Sequence, residues 1–244
     1  MNEDQRISVC KTGVSQIYTM LHTAPHEWRN YLNLGRSIMA HIDNTTFMQQ
    51  PRRTAEQSWL ITGLQRLALT DNDNGEVPDI SNWCTRQWMI LFQREPQNVE
   101  ALRGIGRAWL ARAQPALTRI HRVDGSSSSG GSSQWSAPSI NSCEDERQSA
   151  AAVAEAERRS GTSDYVEARG FLQPATEYLG RAIVAATAQR TLSGDLLALA
   201  AEAYMSLGNA SSPRTNEQYF RRALQLLRAA TEIPEYTLGR YLQQ

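Results

Sequence analysis

The sequence has almost no lysine and no excess of either charge. Lys11 is the only lysine among 25 basic residues, and 25 acidic residues balance them to a formal net charge of zero. A strongly charged chain is attracted as a whole to nucleic acid, membranes or oppositely charged proteins. Composition excludes that general attraction here, so any charged partner has to be bound by a local arrangement of side chains.

Cysteine and long apolar runs are scarce as well. Cys10, Cys84 and Cys143 are an odd number of cysteines at unpatterned spacings, which argues against a disulfide framework and favours a reducing compartment. The first residues lack the basic-then-apolar run of a secretion signal, and no apolar run approaches the roughly 20 residues that span a bilayer. We therefore expect a nuclear or cytoplasmic protein without membrane contact.

The motifs of catalysis and metal binding are missing too. The chain contains no Gly-x-Ser-x-Gly, no His-Glu-x-x-His and no Cys-x-x-Cys. No strand followed by a phosphate-binding loop is visible either. These absences give no support to an enzyme, and we expect neither a cofactor nor a metal site.

What the sequence does contain is helical periodicity. Apolar residues recur three and four positions apart, as in the stripe of Leu102, Ile105 and Trp109, whereas no alternation typical of a strand extends over five residues. The pattern predicts an all-α protein. The predicted helices cover residues 7–21, 28–42, 51–70, 80–93, 99–123, 144–159, 164–190, 197–207 and 220–227, with a short final helix at 236–242.

Three of these stretches share one pattern, and a fourth has a different one. Residues 102–109 read Leu-x2-Ile-Gly-x2-Trp, residues 31–38 read Tyr-x2-Leu-Gly-x2-Ile, and residues 59–63 read Trp-x3-Gly. Residues 84–96 read Cys-x3-Trp-x2-Leu and end on a proline. The set resembles the tetratricopeptide repeat family, whose pattern is Trp-x2-Leu-Gly-x2-Tyr in a first helix, then Ala-x3-Phe and a closing proline in a second.

The resemblance implies a fold and a function. Members of the family stack antiparallel helix pairs into a right-handed superhelix, an α-solenoid, because each pair has an apolar face that it cannot cover alone. First helices line a concave groove that receives a peptide or a helix of another protein. The resemblance thus implies a non-enzymatic scaffold or adaptor subunit of a larger complex, with a protein as its partner.

A stretch rich in serine and glycine interrupts the predicted array. Residues 124–143 hold too little apolar surface to offset the entropy of ordering, so we predict a disordered loop. It would separate N-terminal repeats (1–123) from C-terminal repeats (144–244) of one continuous solenoid. Ser142 precedes three acidic residues at 144–146 and is a candidate phosphorylation site; the alternative is an ordinary helix-capping serine.

Arginines on the predicted first helices are the candidate binding residues. Arg103 and Arg107 lie four apart on one helix, and Arg29, Asn33 and Arg36 lie similarly on another. Some members of the family hold a partner's carboxylates with basic and amide side chains from successive first helices, which implies a groove for an acidic peptide. The alternatives are a solvated helix face without a partner, or phosphate contacts in a nucleic-acid-associated complex.

Overall fold

All regular structure in the described part of the chain is helical, which confirms the predicted all-α class. The computed structural model describes residues 2–71, 75–128 and 142–239, with the backbone alone at 124–128, 142–146, 148 and 149. Its α-helices are α1 (Glu3–Thr23), α2 (Leu32–Asp43), α3 (Thr54–Ala68), α4 (Pro78–Arg94), α5 (Val99–Ser128), α6 (Ser142–Ser160), α7 (Ser163–Gln189), α8 (Gly194–Asn209) and α9 (Asn216–Thr231). Short 3₁₀ helices cover Pro25–Tyr31, Phe47–Gln49 and Pro51–Arg53.

Residues at their N-termini stabilise the starts of α1 and α4. Asn2 caps α1 reciprocally: its side chain accepts from the backbone N–H of Gln5 at 2.8 Å, and its own N–H donates to the Gln5 side chain at 3.1 Å. This is the capping-box arrangement, which satisfies two otherwise unpaired groups. Pro78, which has no N–H to lose, opens α4.

Several helix ends differ from those predicted. The second helix begins at Leu32 instead of residue 28, because Pro25–Tyr31 is a 3₁₀ helix. The helix α5 continues through Pro115 to Ser128, five residues into the predicted loop 124–143, and α6 begins inside that loop at Ser142. Extending an existing helix costs far less than nucleating one, so it can run into residues of poor propensity. Residues 129–141 lie outside the described part of the chain.

Contacts divide the chain into two compact units. Unit 1 consists of Met1–Arg112 and Glu177–Leu192, and unit 2 consists of Ala113–Thr176 and Ser193–Gln244. Each unit combines two stretches that are distant in sequence. The boundaries fall within α5 and α7, whereas the sequence suggests consecutive repeats on either side of a loop.

Unit 1 contains two similar helix hairpins. In each, the second helix packs antiparallel against the first: α2 against α1, and α4 against α3. The hairpins lie side by side, with an ion pair from Lys11 to Glu56 between α1 and α3, and one from Arg36 to Asp79 between α2 and α4. The second hairpin therefore repeats the arrangement of the first.

This arrangement corrects the role predicted for α2. Residues 31–38 resemble a first helix of the repeat pattern, but α2 is the second helix of its hairpin and corresponds to α4. Gly35 is nevertheless a packing position, since a Cβ there would lie 3.1 Å from the Leu67 side chain. Close packing therefore accounts for this glycine, and α2 need not be a first helix of the repeat pattern.

A buried polar cluster joins α3, α4 and α5. The side-chain amide of Gln65 donates to the carbonyl of Gly104 at 2.8 Å and accepts from the indole N–H of Trp88 at 3.1 Å. Gln65 and Trp88 are 4% and 1% exposed. Buried polar groups are stabilising only when hydrogen-bonded, and this glutamine is satisfied at both ends of its amide.

The stripe at the start of α5 is partly as predicted. Leu102 and Ile105 are buried, but Trp109 is only half-buried. The guanidinium of Arg112 lies over the Trp109 ring, 5.3 Å from its centroid. The buried face of α5 continues beyond Ile105 through Ala108 and Leu110, whereas Trp109 lies at the edge of the core.

Unit 2 is built around the α8/α9 hairpin. Small buried residues such as Ala200 and Ala203 line α8, and the Phe220 ring of α9 lies against Gly208. The guanidinium of Arg169 donates to the carbonyls of Ser160 and Ala210, both at 2.7 Å. These bonds connect α7 to the chain before it and to the end of α8.

The segment after α9 folds back onto the same hairpin. Residues 236–239 are not helical, contrary to the prediction of a final helix, and residues 240–242 lie outside the described part. The Tyr236 ring packs across Gly194 at the start of α8, where an added Cβ would lie 2.1 Å from the ring. Burial is the main cause that raises the Tyr236 pKa, so this tyrosine has a structural contact and is not a free surface group.

Candidate interaction surface

The helix α3 exposes one narrow strip. Its exposed residues are Ala55, Trp59 and Arg66, with the partly exposed Thr62 between them. These positions lie four, three and four apart, so they follow one face of the helix. The other faces are covered because α3 packs against α1 and α4 and donates a hydrogen bond to α5. An indole and a guanidinium therefore dominate the surface that α3 presents.

Trp59 is held in a fixed orientation by Tyr18 of α1. The two rings are stacked, with centroids 5.4 Å apart and planes inclined by 27°. The Tyr18 hydroxyl also donates to the carbonyl of Trp59 at 3.0 Å. Trp59 remains 36% exposed, which places it among the large apolar side chains that reach solvent. The result is a rigid, accessible aromatic group.

Two arginines lie beside this stack. The Arg66 guanidinium lies over the Tyr18 ring, 5.7 Å from its centroid. Burial raises the pKa of Tyr18, and the charges of Arg66, Glu100 and Arg103 act on the same hydroxyl, Glu100 raising its pKa and the two arginines lowering it. Arg103 is thus a neighbour of the stack. We call Tyr18, Trp59, Arg66 and Arg103 the Trp59 surface.

Arg66 differs from most ring-stacked arginines of unit 1 because it has no carboxylate partner among the described residues. The guanidiniums that lie over aromatic rings in this unit belong to Arg29, Arg53, Arg66, Arg112 and Arg181. Three of these arginines also contact a carboxylate: Arg29 with Asp71, Arg53 with Glu56 and Arg112 with Glu76. Among the described residues, Arg66 and Arg181 have no such acidic partner. Of these two, Arg66 is the one whose ring partner, Tyr18, stacks on an exposed tryptophan.

The predicted binding residues fall into two groups. Arg103 and Arg107 lie on α5; the Arg103 side chain is 24% exposed and 3.8 Å from Glu100, and Arg107 is half-buried. Arg29 lies on the 3₁₀ helix Pro25–Tyr31, and Asn33 and Arg36 lie on α2. The Arg103 charge reaches the Tyr18 hydroxyl, whereas Arg36 contacts Asp79 at the start of α4 and Arg29 contacts Asp71 before that helix.

The second group is largely neutralised within the chain. Arg36 Nε donates to Asp79 Oδ2 at 2.6 Å, and Arg36 Nη1 donates to Asn33 Oδ1 at 3.5 Å. The bond from Arg36 holds the pKa of the Asp79 carboxyl below its usual value. Arg29 donates to Asp71 at 2.8 Å. These cations hold their carboxylates at 2.8 Å or less, so they are weaker candidates for binding another carboxylate than Arg66, which has no acidic partner among the described residues, or Arg103, whose contact with Glu100 is longer at 3.8 Å.

Arg66 and Tyr18 are not among the binding residues predicted from the sequence. Arg66 stands seven residues after Trp59, at the place that tyrosine takes in the repeat pattern, so helical spacing alone could have paired the two side chains. Tyr18 carries no comparable signal, because its contact with Trp59 joins residues 41 apart in sequence.

The remaining site predictions receive little structural information. Ser142 is the first residue of α6, and its side chain is not described, so its phosphorylation stays a prediction. Within residues 2–71, 75–128 and 142–239, no three histidine, cysteine, aspartate or glutamate side chains gather as metal ligands do. Over the same residues, no helix combines the length and apolarity needed to cross a bilayer.

Comparison with known proteins gives no family assignment. No family model, curated protein or solved structure matches the chain significantly. The resemblance to tetratricopeptide repeats rests on the residue pattern alone. The structure adds the all-helical class and the two similar hairpins of unit 1.

Proposed function

We propose that this chain is a non-enzymatic interaction scaffold, an adaptor subunit that binds a segment of a partner protein on the Trp59 surface. The observation that carries the proposal is an exposed, orientationally fixed indole beside an arginine that no described carboxylate neutralises. Tryptophan and arginine are the residue types most enriched among side chains that dominate binding energy. Their presence on the narrow exposed strip of α3 supports a role in binding.

The chemistry of the surface indicates the kind of segment it would bind. A guanidinium offers paired donors that match a carboxylate, and stacking on Tyr18 restricts the orientation of Arg66 before a partner arrives. Trp59 offers a flat apolar face next to these donors. The expected ligand is a peptide or helix that carries an acidic residue close to a large apolar one.

The hairpin arrangement supports the wider proposal of a solenoid. Parallel placement of α1 beside α3, and of α2 beside α4, is how repeated helix pairs stack in tetratricopeptide-like arrays. A right-handed superhelix built this way would present α1, α3 and α5 on its concave side. The Trp59 surface draws its residues from these three helices. The buried thiols Cys10 and Cys84 suit a nuclear or cytoplasmic protein.

Selection of binding peptides tests this proposal. Random peptides displayed on phage would be selected against the full chain, and the enriched peptides measured by fluorescence anisotropy. We expect enrichment of aspartate or glutamate near an aromatic or aliphatic residue. The double variant Arg66→Glu with Arg103→Glu should weaken binding by about tenfold or more, since hydrogen bonds to charged groups are worth about 1.5–3 kcal/mol.

The control is a second double charge reversal. Arg52 and Arg86 are exposed, and neither has an acidic partner among the described residues, so Arg52→Glu with Arg86→Glu makes the same change in net charge elsewhere. This control should bind the selected peptides as the original chain does. Equal weakening by both double variants, or peptides without acidic residues, would contradict the proposal. Salt-sensitive binding of single-stranded RNA through the same two arginines would favour the nucleic-acid alternative instead.

A further inference from the structure

A groove of about 340 Å³ lies between the outer face of α1 and the 3₁₀ helix Pro25–Tyr31. Thr12, Thr19 and Thr23 form one wall, and Glu27 and Tyr31 form the other. The volume falls within the range of pockets that bind small ligands or single side chains. The proposed function does not use this groove, because its residues lie on a different face of α1 from Tyr18.

The threonine wall presents hydrogen-bond acceptors. The hydroxyl of Thr12 donates to the carbonyl of Ser8 at 3.1 Å, that of Thr19 to Ser15 at 3.0 Å, and that of Thr23 to Thr19 at 2.9 Å. A hydroxyl has one hydrogen to donate, and here each is already used within the helix. The lone pairs of the three oxygens remain, so these threonines can accept hydrogen bonds but not donate further ones. Ser15 and Gln16 on the same wall, and Tyr31 opposite, can both donate and accept.

The opposite wall adds a negative charge. Glu27 is the one charged residue among the described residues that line the groove. Its side chain is half exposed, and its described partner, His26 Nε2, lies 3.9 Å away, at the limit of an ion pair. The nearby Arg29 is bound to Asp71. The groove therefore combines a carboxylate with a row of oxygen acceptors and no lining cation.

We propose that this groove binds the guanidinium of an arginine side chain presented by a partner protein. A guanidinium carries five N–H donors and no acceptor, which complements the Glu27 carboxylate and three threonine oxygens whose own hydrogens are already used. Glu27 supplies the charge-assisted bond, and the threonine oxygens accept from the remaining N–H groups. Met20 and Ala24 at the base of the groove give the methylene stem of the arginine an apolar contact.

An NMR titration of the full chain with N-acetyl-arginine-methylamide tests the proposal. The ligand should shift the backbone amide signals of Thr12, Thr19, Thr23 and Glu27 saturably. The citrulline analogue has the same shape without the charge and should bind at least about fivefold more weakly, as loss of a charge-assisted bond requires. Thr19→Val, which replaces one acceptor by a methyl group on an exposed position, should also weaken binding.

Two variants that each remove one negative charge provide the decisive comparison. Glu27→Gln should weaken binding of the arginine probe by about fivefold or more. Asp4→Asn removes a charge from α1 outside the groove and should leave the affinity unchanged. The proposal is wrong if the probe shifts none of the groove signals, if citrulline binds equally well, or if the two variants lose affinity to the same extent.

Discussion

Replacement of Gly104 by alanine tests the close packing of α5 against α3 and α4. A Cβ at this position would lie 2.4 Å from both Cε2 and Nε1 of the Trp88 ring. Real Cβ atoms do not approach other atoms so closely, so either the indole or α5 has to move. Movement of the indole would break its hydrogen bond to Gln65, and movement of α5 would break the bond from Gln65 to the Gly104 carbonyl.

The size of the effect follows from three contributions. Overpacking a well-filled core costs about 1–3 kcal/mol. Leaving one buried polar group of Gln65 unsatisfied costs about 1–3 kcal/mol more. Alanine is better than glycine inside a helix by about 1 kcal/mol, which opposes both losses. The net expectation for Gly104→Ala is a loss of about 3 kcal/mol in the free energy of unfolding.

Chemical denaturation followed by circular dichroism measures this loss, with Gly180→Ala as the matched control. Gly180 also lies in a helix of unit 1, and no described atom lies within 4 Å of its added Cβ. The same substitution there should be neutral or stabilising by up to about 1 kcal/mol. If Gly104→Ala is as stable as Gly180→Ala, the contact of α5 with Trp88 is wrong, and so is the position of α5 in unit 1.

Two further predictions concern unit 1. Thr54 donates to Glu95 at 2.7 Å, and this bond lowers the Glu95 pKa from 4.5. Because the native pKa is lowered, the ionised Glu95 stabilises the fold above about pH 4.5, and this stabilisation is lost on acidification. The difference in unfolding free energy between Thr54→Val and the original chain should therefore shrink from pH 7 to pH 3. Trp88→Ala should cost about 3–5 kcal/mol and Trp109→Ala clearly less, because only Trp88 is fully buried; equal melting temperatures for the two variants would contradict this.

Local pattern predicted the helices of this fold well and their pairing less well. Apolar spacing placed α4 and the start of α5 within two residues, because one buried face of each helix fixes the period. The role of α2 was predicted wrongly from the pattern of residues 31–38. A glycine between apolar residues signals close helix packing, but it does not say which neighbouring helix approaches. That choice depends on contacts such as Arg36 with Asp79, which are 43 residues apart.

The candidate site shows the same limit. Helical spacing identifies arginines that share a helix face, and Arg103, which belongs to the Trp59 surface, is one of them. Spacing cannot show which arginines are neutralised, since Arg29 and Arg36 find their carboxylates 42 and 43 residues away. Spacing alone therefore does not distinguish paired from unpaired cations. Only the packing of α1, α3 and α5 distinguishes Arg66.

The position of α3 between α1 and α5 explains why its exposed residues are informative. A helix at the edge of an array keeps a wide polar face, as α1 does with its threonines and serines, and such a face is expected for solubility. The helix α3 has only a narrow strip left, on which polar side chains would serve solubility best. Trp59 and Arg66 occupy it instead, and Tyr18 fixes both of them. An apolar ring fixed at the surface adds little to the core, which is why we propose that Trp59 contacts a partner.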